Sequence, residues 1–319
     1  MKTRWRLVLL AVLTSTASVM LSLPIQAADP GSSPQAFTRV LGEPVEEMSG
    51  MAKSQRHPDV YWVHNDSGDS ARLFAVDGSG RLIIPDQAQQ DFYGETAERG
   101  KRQWQGFEVS GAGNVDWEDI TVVDDTLYIA DVGNNGNARR DLVIYAVPEP
   151  DPRSADGAVV RQAYPVVYPD QTDYPDPSWD MDSESLFAWR GTLYLISKHR
   201  SSRLPHQGEA GAKLYRLDTR HTGQDNVLTL VDTHGEITSA TGAEVSPDGT
   251  RLAVLSYTDL WVFAEPVDGS DRWLSSTAIR IPLDTRTVQQ AEAITWNDPD
   301  SVLIGNEQRD VFRLSLPPR

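Results

Sequence analysis

Residues 114–145 read NVDWEDITVVDDTLYIADVGNNGNARRDLVIY. Two short apolar runs flank the turn Asp124-Asp125, and a loop dense in Asp, Asn and Arg leads to a third run at 142–147. Runs of this length, bounded by Asp, Asn and Gly, predict β-strands joined by tight turns. Long stretches with a 3.6-residue apolar period are scarce in the rest of the chain, which predicts an all-β protein.

The unit recurs. A small or acidic pair followed by an apolar residue opens each copy: Ser49-Gly50-Met51, Glu118-Asp119-Ile120, Glu184-Ser185-Leu186, Thr241-Gly242-Ala243 and Glu292-Ala293-Ile294. Each mark leads into a turn, then a second apolar strand at 60–63, 127–130, 193–196, 252–255 or 302–304. A polar loop and a third strand follow, at 73–76, 142–147, 213–217, 260–263 and 311–314. Fourth strands are less regular, at 105–109, 159–167, 227–231 and 273–281. Four strands per repeat make the blade of a β-propeller.

The fifth unit ends after its third strand, which would leave a sheet edge unpaired. The strand-like stretch 37–45 precedes the first mark and is expected to close the ring as the missing fourth strand. Five blades follow, with a sixth left open by the long intervals that contain 86–99 and 170–182.

Before this domain, residues 1–27 combine Lys2, Arg4 and Arg6, an apolar run at 7–23 and a small-residue exit at Ala27. That is the pattern of a signal peptide. A membrane anchor is the competing reading, disfavoured by Thr14, Ser15, Thr16 and Ser18. Residues 28–36 form a Gly/Ser/Pro-rich lead-in, and 37–319 form a single propeller domain without a membrane span. The chain is thus expected to be exported, to the periplasm or the medium.

The chain has no cysteine, which excludes disulfides, zinc-thiolate sites, cysteine nucleophiles and a lipoprotein anchor. Its net charge is −17, falling to −20 once the leader's three basic residues are set aside. Such a balance excludes nucleic-acid backbone binding, which needs clustered Lys and Arg. It suits solubility and the collection of divalent cations. No glycine-rich phosphate loop, G-x-S-x-G elbow or H-E-x-x-H motif is present, so nucleotide, serine-hydrolase and zinc-protease readings fall away, and no haem site is expected.

The blocks D-W-E-D-I and L-Y-I-A-D-V-G-N-N, with D-S-E-S-L, T-G-A-E-V-S-P-D-G and A-E-A-I, resemble a family of exported bacterial β-propellers of no settled function. More distantly they are similar to the SdiA-regulated and esterase-like-phytase propeller groups. The latter resemblance implies Ca²⁺-dependent hydrolysis of a phosphoester, ester or lactone. No stretch matches those enzymes' active-site motifs residue for residue, so it assigns no catalytic residue.

Blade geometry narrows the site. The start of the innermost strand and the end of the second strand share one face. Glu118, Asp119, Glu184 and Glu292 are therefore the candidate metal ligands, with Ca²⁺ the candidate ion because hard oxygen donors suit it. Asn65, Asp66, Asp131, Asn134, Lys198, Asn306 and Glu307 are expected to ring the same mouth and bind ligand. His64 and His199 end second strands and are the candidate general bases. The competing reading has these groups accepting backbone N–H groups or pairing with Arg139, Arg140, Lys198 and Arg309. Most tryptophans are expected between blades, with Trp117 and Trp179 beside acidic loops as candidate stacking platforms. The functional expectation is a binding protein that holds Ca²⁺ with a small molecule, glycan or envelope protein. The alternative is the hydrolase implied by resemblance.

Overall fold

The computed structural model describes residues 26–27, 33–202, 204 and 207–317, so the expected leader lies outside the described residues except for its last two positions. Five antiparallel sheets stand around one axis. Strand β1 (Gln35–Arg39) comes first in the chain but belongs to the last blade. Blade 1 contains β2 (Met48–Lys53), β3 (Val60–Asn65), β4 (Arg72–Asp77) and β5 (Phe107–Ser110). Blade 2 contains β6 (Trp117–Val123), β7 (Thr126–Asp131), β8 (Val143–Pro148) and β9 (Gln162–Val167). Blade 3 contains β10 (Asp182–Trp189), β11 (Thr192–Lys198), β12 (Ala210–Leu217) and β13 (Thr229–Thr238). Blade 4 contains β14 (Ala240–Val245), β15 (Arg251–Ser256), β16 (Asp259–Ala264) and β17 (Ala278–Pro282). In blade 5, β18 (Ala291–Asp298), β19 (Ser301–Asn306) and β20 (Asp310–Ser315) are completed by β1.

The expected ring closure therefore holds, with Gln35 opposite Arg313 and Arg39 opposite Asp310, but the closing strand is Gln35–Arg39 rather than 37–45: it takes the last two residues of the expected lead-in, and 40–45 leave the sheet. The long intervals hold loops and one two-stranded ribbon, Phe92–Tyr93 with Arg102–Gln103, rather than a sixth blade.

One irregularity repeats in every blade. The innermost strand carries a β-bulge at its start, and the residue without a partner across the pair is Ser49, Glu118, Glu184, Thr241 or Glu292. These are the first residues of the five sequence marks. A bulge places two residues opposite one and re-aims a side chain out of the regular alternation. Here it sets five equivalent side chains at one end of the channel. Ser49 and Thr241 use the position locally, donating to the carbonyls of Glu118 (2.9 Å) and Ala291 (2.8 Å) on the next blade.

Fourth strands look irregular in sequence because the chain touches the preceding blade before entering its own. Ala158–Val159 runs parallel to β5, and Asn226–Val227 runs parallel to β9. The expected strand at 159–167 is thus two pieces in two blades. These latches cover sheet edges that would otherwise present unpaired N–H and C=O groups.

The inner strands are also stitched together by acids. Asp119 accepts N–H bonds from Ile120 (2.8 Å), from Leu186 on β10 (2.7 Å) and from Ala243 on β14 (3.3 Å). Glu244 accepts the Trp296 N–H at 2.6 Å, tying β14 to β18. Trp62, Trp117, Trp261, Trp273 and Trp296 are fully buried. Each such ring removes roughly 150–250 Å² from water, which lets a chain without disulfides hold together on its core.

Candidate metal centre

Five carboxylates meet at the mouth where the bulges lie. Asp66, Asp116 and Glu118 each bring an oxygen within 4.8 Å of the others, and Glu118, Asp182 and Glu184 do the same. Glu118 belongs to both trios. Asp66 follows β3 in blade 1, while Asp116 and Glu118 flank Trp117 at the start of β6. Asp182 and Glu184 repeat that D-x-E spacing at the start of β10. The bulge at Glu118 and at Glu184 takes that side chain out of the regular alternation and sets it beside the carboxylate two residues earlier.

The trios differ in what already binds them. Asp182 accepts the Asn134 backbone N–H on Oδ1 (2.7 Å) and Arg200 Nε on Oδ2 (2.7 Å). Glu184 Oε1 receives the Lys198 ammonium and, at 3.3 Å, Arg200 Nη2. Asp182 and Glu184 are thus offset by Lys198 and Arg200, while Glu118, the third member, is not. In the first trio, among the described residues Asp116 Oδ2 meets only the Asn135 amide at 3.2 Å, and Asp66 Oδ1 accepts the Ser67 N–H at 2.6 Å. Among the described residues no hydrogen-bond donor reaches the Glu118 carboxylate, although Glu118 is only 4 % exposed.

Burial, then the charges of Glu184, Asp66 and Asp116, push the Glu118 pKa far above the usual carboxylate range. Burial and the neighbouring Asp66 lift Asp116 to about 6, and burial raises Asp66 as well. An uncompensated buried carboxylate is costly, and the cost is relieved by a proton or a cation.

Gly133 makes room for the trio. A Cβ there would stand 2.0 Å from Glu118 Oε1 and 2.4 Å from Asp116 Oδ2. The D-V-G-N-N loop is held against the carboxylates by the Gly133 N–H to the Asp116 carbonyl (3.2 Å). It is tied in turn to the 170–182 loop by Asn134 Nδ2 to the Met181 carbonyl (2.8 Å) and the Met181 N–H to Asn137 Oδ1 (2.8 Å). Three acidic oxygens without imidazole or thiolate suit a hard cation such as Ca²⁺, with carbonyls or water completing the shell.

Of the residues singled out from sequence, Glu118 and Asp66 share the first trio, and Glu184 lies in the second with Lys198 bound to it. Glu292 accepts the Tyr257 hydroxyl at 2.6 Å, and that hydroxyl also receives Lys198 at 3.1 Å. Glu307 receives the Gln290 amide at 2.7 Å.

Others are engaged by backbone. Asp119 is held by three N–H groups and belongs to neither trio. Asn65 accepts the Glu46 N–H (2.8 Å), and Asp131 accepts those of Val115 and Asp116 and pairs with Arg139 at 2.9 Å. Asn134 accepts from Ala138 and Arg139, and Asn306 accepts the Asp310 N–H at 2.8 Å.

Neither histidine joins the acidic group. His64 is fully buried, edge-on to Trp117, with Nδ1 3.0 Å from the Asn65 carbonyl oxygen, and burial pushes its pKa down to about 4. His199 places Nε2 3.1 Å from Ser197 Oγ, and burial lowers it too. Trp117 is no platform, because it is fully buried with its indole N–H on the Gly113 carbonyl, whereas Trp179 is part-exposed. Asp182 and Arg200 were not foreseen from sequence. The D-x-E spacing shared with Asp116-Trp117-Glu118 is the signal that marks Asp182.

Fold and site together define a five-bladed β-propeller with a carboxylate-lined channel mouth. No family model matches the sequence, and neither does any curated protein. Among solved structures, similarity extends to a gluconolactonase from Xanthomonas campestris, at 15 % identity and TM-score 0.44 over 94 % of this chain and 99 % of that one. It extends also to a PQQ-bound aldose sugar dehydrogenase from Streptomyces coelicolor, at 9 % identity and TM-score 0.45 over 90 % and 99 %. A Trichoderma reesei carbohydrate-active enzyme of family AA12 matches at 10 % identity and TM-score 0.45 over 95 % and 100 %. Likeness of this order carries nothing about chemistry, which rests on the residues of this chain. Among the described residues no helix is long and apolar enough to cross a membrane.

Proposed function

We propose that this protein is an exported binding propeller that holds a divalent cation, Ca²⁺ by its donor chemistry, between Asp66, Asp116 and Glu118. One observation carries the reading: Glu118 is buried, has no donor among the described residues, and faces two further carboxylates. The basic and apolar leader supports export. These residues lie at the channel mouth, where a small molecule, a glycan or an envelope protein would complete the shell of a bound ion. Thermal melts with Ca²⁺, Mg²⁺ and chelator test the cation. At 100 times its dissociation constant an ion binding only the folded state adds about 2.7 kcal/mol, roughly 5–10 °C for a domain of this size. Ca²⁺ should exceed Mg²⁺, which demands a tighter octahedral shell. No shift with Ca²⁺ refutes the reading.

A second reading, Ca²⁺-dependent hydrolysis of a phosphoester, ester or lactone, is favoured by the Lys198–Tyr257–Glu292 row beside the trio. Burial and the Glu184 charge raise the Glu292 pKa, so this carboxyl can exchange a proton at the mouth. Turnover of phytate, aryl esters or lactones that requires Ca²⁺ and falls in Glu292→Gln would establish it. Absence of turnover on all three leaves the binding reading alone.

A further inference from the structure

Resting on the cation reading, we propose that Lys198 is a tethered counter-ion: its ammonium holds the Glu184 side of the mouth, so that the site takes one divalent cation rather than two. The position of Lys198 in the repeat is the first observation. It pairs with the first residue of its inner strand, as do Asn65, Asp131, Ser256 and Asn306 in the other four blades. Those four are short polar side chains that bind nearby backbone groups. Blade 3 alone places a long cationic chain there, and its ammonium reaches the mouth instead.

The geometry of that ammonium is the second. It lies on Glu184 Oε1, 3.1 Å from the Tyr257 hydroxyl and 4.8 Å over the Tyr257 ring, with its side chain only 6 % exposed. Arg200 binds Asp182 and Glu184 from the other side. Two bases thus offset two of the five carboxylates and leave three without a basic partner, those of the first trio. Glu118 is the unpartnered, buried group common to both trios, so a cation could be drawn to either side of it. Lys198 decides which. An ammonium fixed by Glu184, Tyr257 and the aromatic face excludes a second ion by charge and by volume.

Calorimetry with CaCl₂ and metal-free protein tests this on four chains. The wild type and Lys198→Arg should bind one ion. Lys198→Met should bind a second, or bind the first at least tenfold more tightly. The double variant Lys198→Met/Glu184→Gln removes the pair as a neutral unit and should bind one ion within about threefold of wild-type affinity. The inference is overturned if the wild type already binds two ions, or if Lys198→Met changes neither count nor affinity. Loss of the ion in the double variant also overturns it, since Glu184 would then be a ligand. Should Lys198→Met fail to fold, Lys198→Gln is titrated in its place, with the same expected and overturning results. A wild type that binds no Ca²⁺ overturns the cation reading itself, a separate and recognisable result.

Discussion

Replacing Glu118 by Gln should make the metal-free protein more stable while abolishing its response to Ca²⁺. The side chain keeps its shape, loses its charge and exchanges one acceptor oxygen for an amide donor that faces the carboxylates of Asp66 and Asp116, and no donor among the described residues is orphaned by the change. Its neighbours' oxygens lie within 4.8 Å. At that distance two unit charges repel by about 3.5 kcal/mol in an effective dielectric of ~20. Burial raises both carboxyls, with Glu184, Asp66 and Asp116 adding to it at Glu118 and Asp66 adding to it at Asp116. A carboxyl so raised sheds part of the repulsion by taking up a proton, so the net relief is a fraction of the pairwise figure, about 1–3 kcal/mol. For a chain of this length that is roughly 2–12 °C in melting temperature. Scanning calorimetry of both proteins, each with chelator and with excess Ca²⁺, reads both effects. A Glu118→Gln protein that melts lower than wild type without metal, and still gains stability from Ca²⁺, would refute the reasoning. Glu118 would then be a structural acceptor.

Raised carboxyl pKa values bind more protons in the folded than in the unfolded state. The metal-free protein should thus lose stability as pH rises from the ordinary Asp value near 4 through about 6, the pKa of Asp116, while the Ca²⁺-induced rise in melting temperature grows over the same window; melts at pH 5 and 8 check both. Asp119→Ala should cost about 3–5 kcal/mol by stranding three buried N–H groups, yet leave Ca²⁺ affinity unchanged in the folded fraction, as denaturant titration and calorimetry would show. Gly133→Ala should cost only about 1–3 kcal/mol, since the crowded atoms are carboxylate ends able to shift, but should weaken Ca²⁺ at least tenfold by displacing Glu118 and Asp116.

The blade pattern was legible because strand alternation and turn chemistry are local, and five copies reinforce one another. The closing strand was legible from an edge that had to be covered. The break at 158–162 was not, since whether an exposed pair of residues latches onto a neighbouring blade depends on the neighbour's edge. At the mouth, topology predicted that Glu118, Glu184 and Glu292 share one face. It could not divide them, because that division lies in partners remote in sequence: Lys198 and Arg200 on Glu184, Tyr257 on Glu292, and none among the described residues on Glu118. Asp119 shows the same limit. Adjacent to Glu118 in sequence, it turns into the inner ring and is consumed by the N–H groups of three strands.

What the five bulges require of their side chains separates fold from function. Ser49 and Thr241 show that a hydroxyl satisfies the position unaided, by donating to the carbonyl of the next inner strand. A carboxylate cannot donate in that way when ionised, so glutamate at the same place gains nothing for the ring and adds a charge to a buried mouth. Glu184 and Glu292 offset that cost with Lys198 and with the Tyr257 hydroxyl. Glu118 has no such offset among the described residues, and it lies against Asp116 and Asp66, which raise the cost further. Gly133 then keeps the space beside it open where any larger residue would intrude. A fold that needed only a closed ring would be served by Ser or Thr in all five blades. Glu184 and Glu292 find their offset within the chain, whereas Glu118 does not among the described residues, and that difference is what the proposed divalent cation between Asp66, Asp116 and Glu118 accounts for.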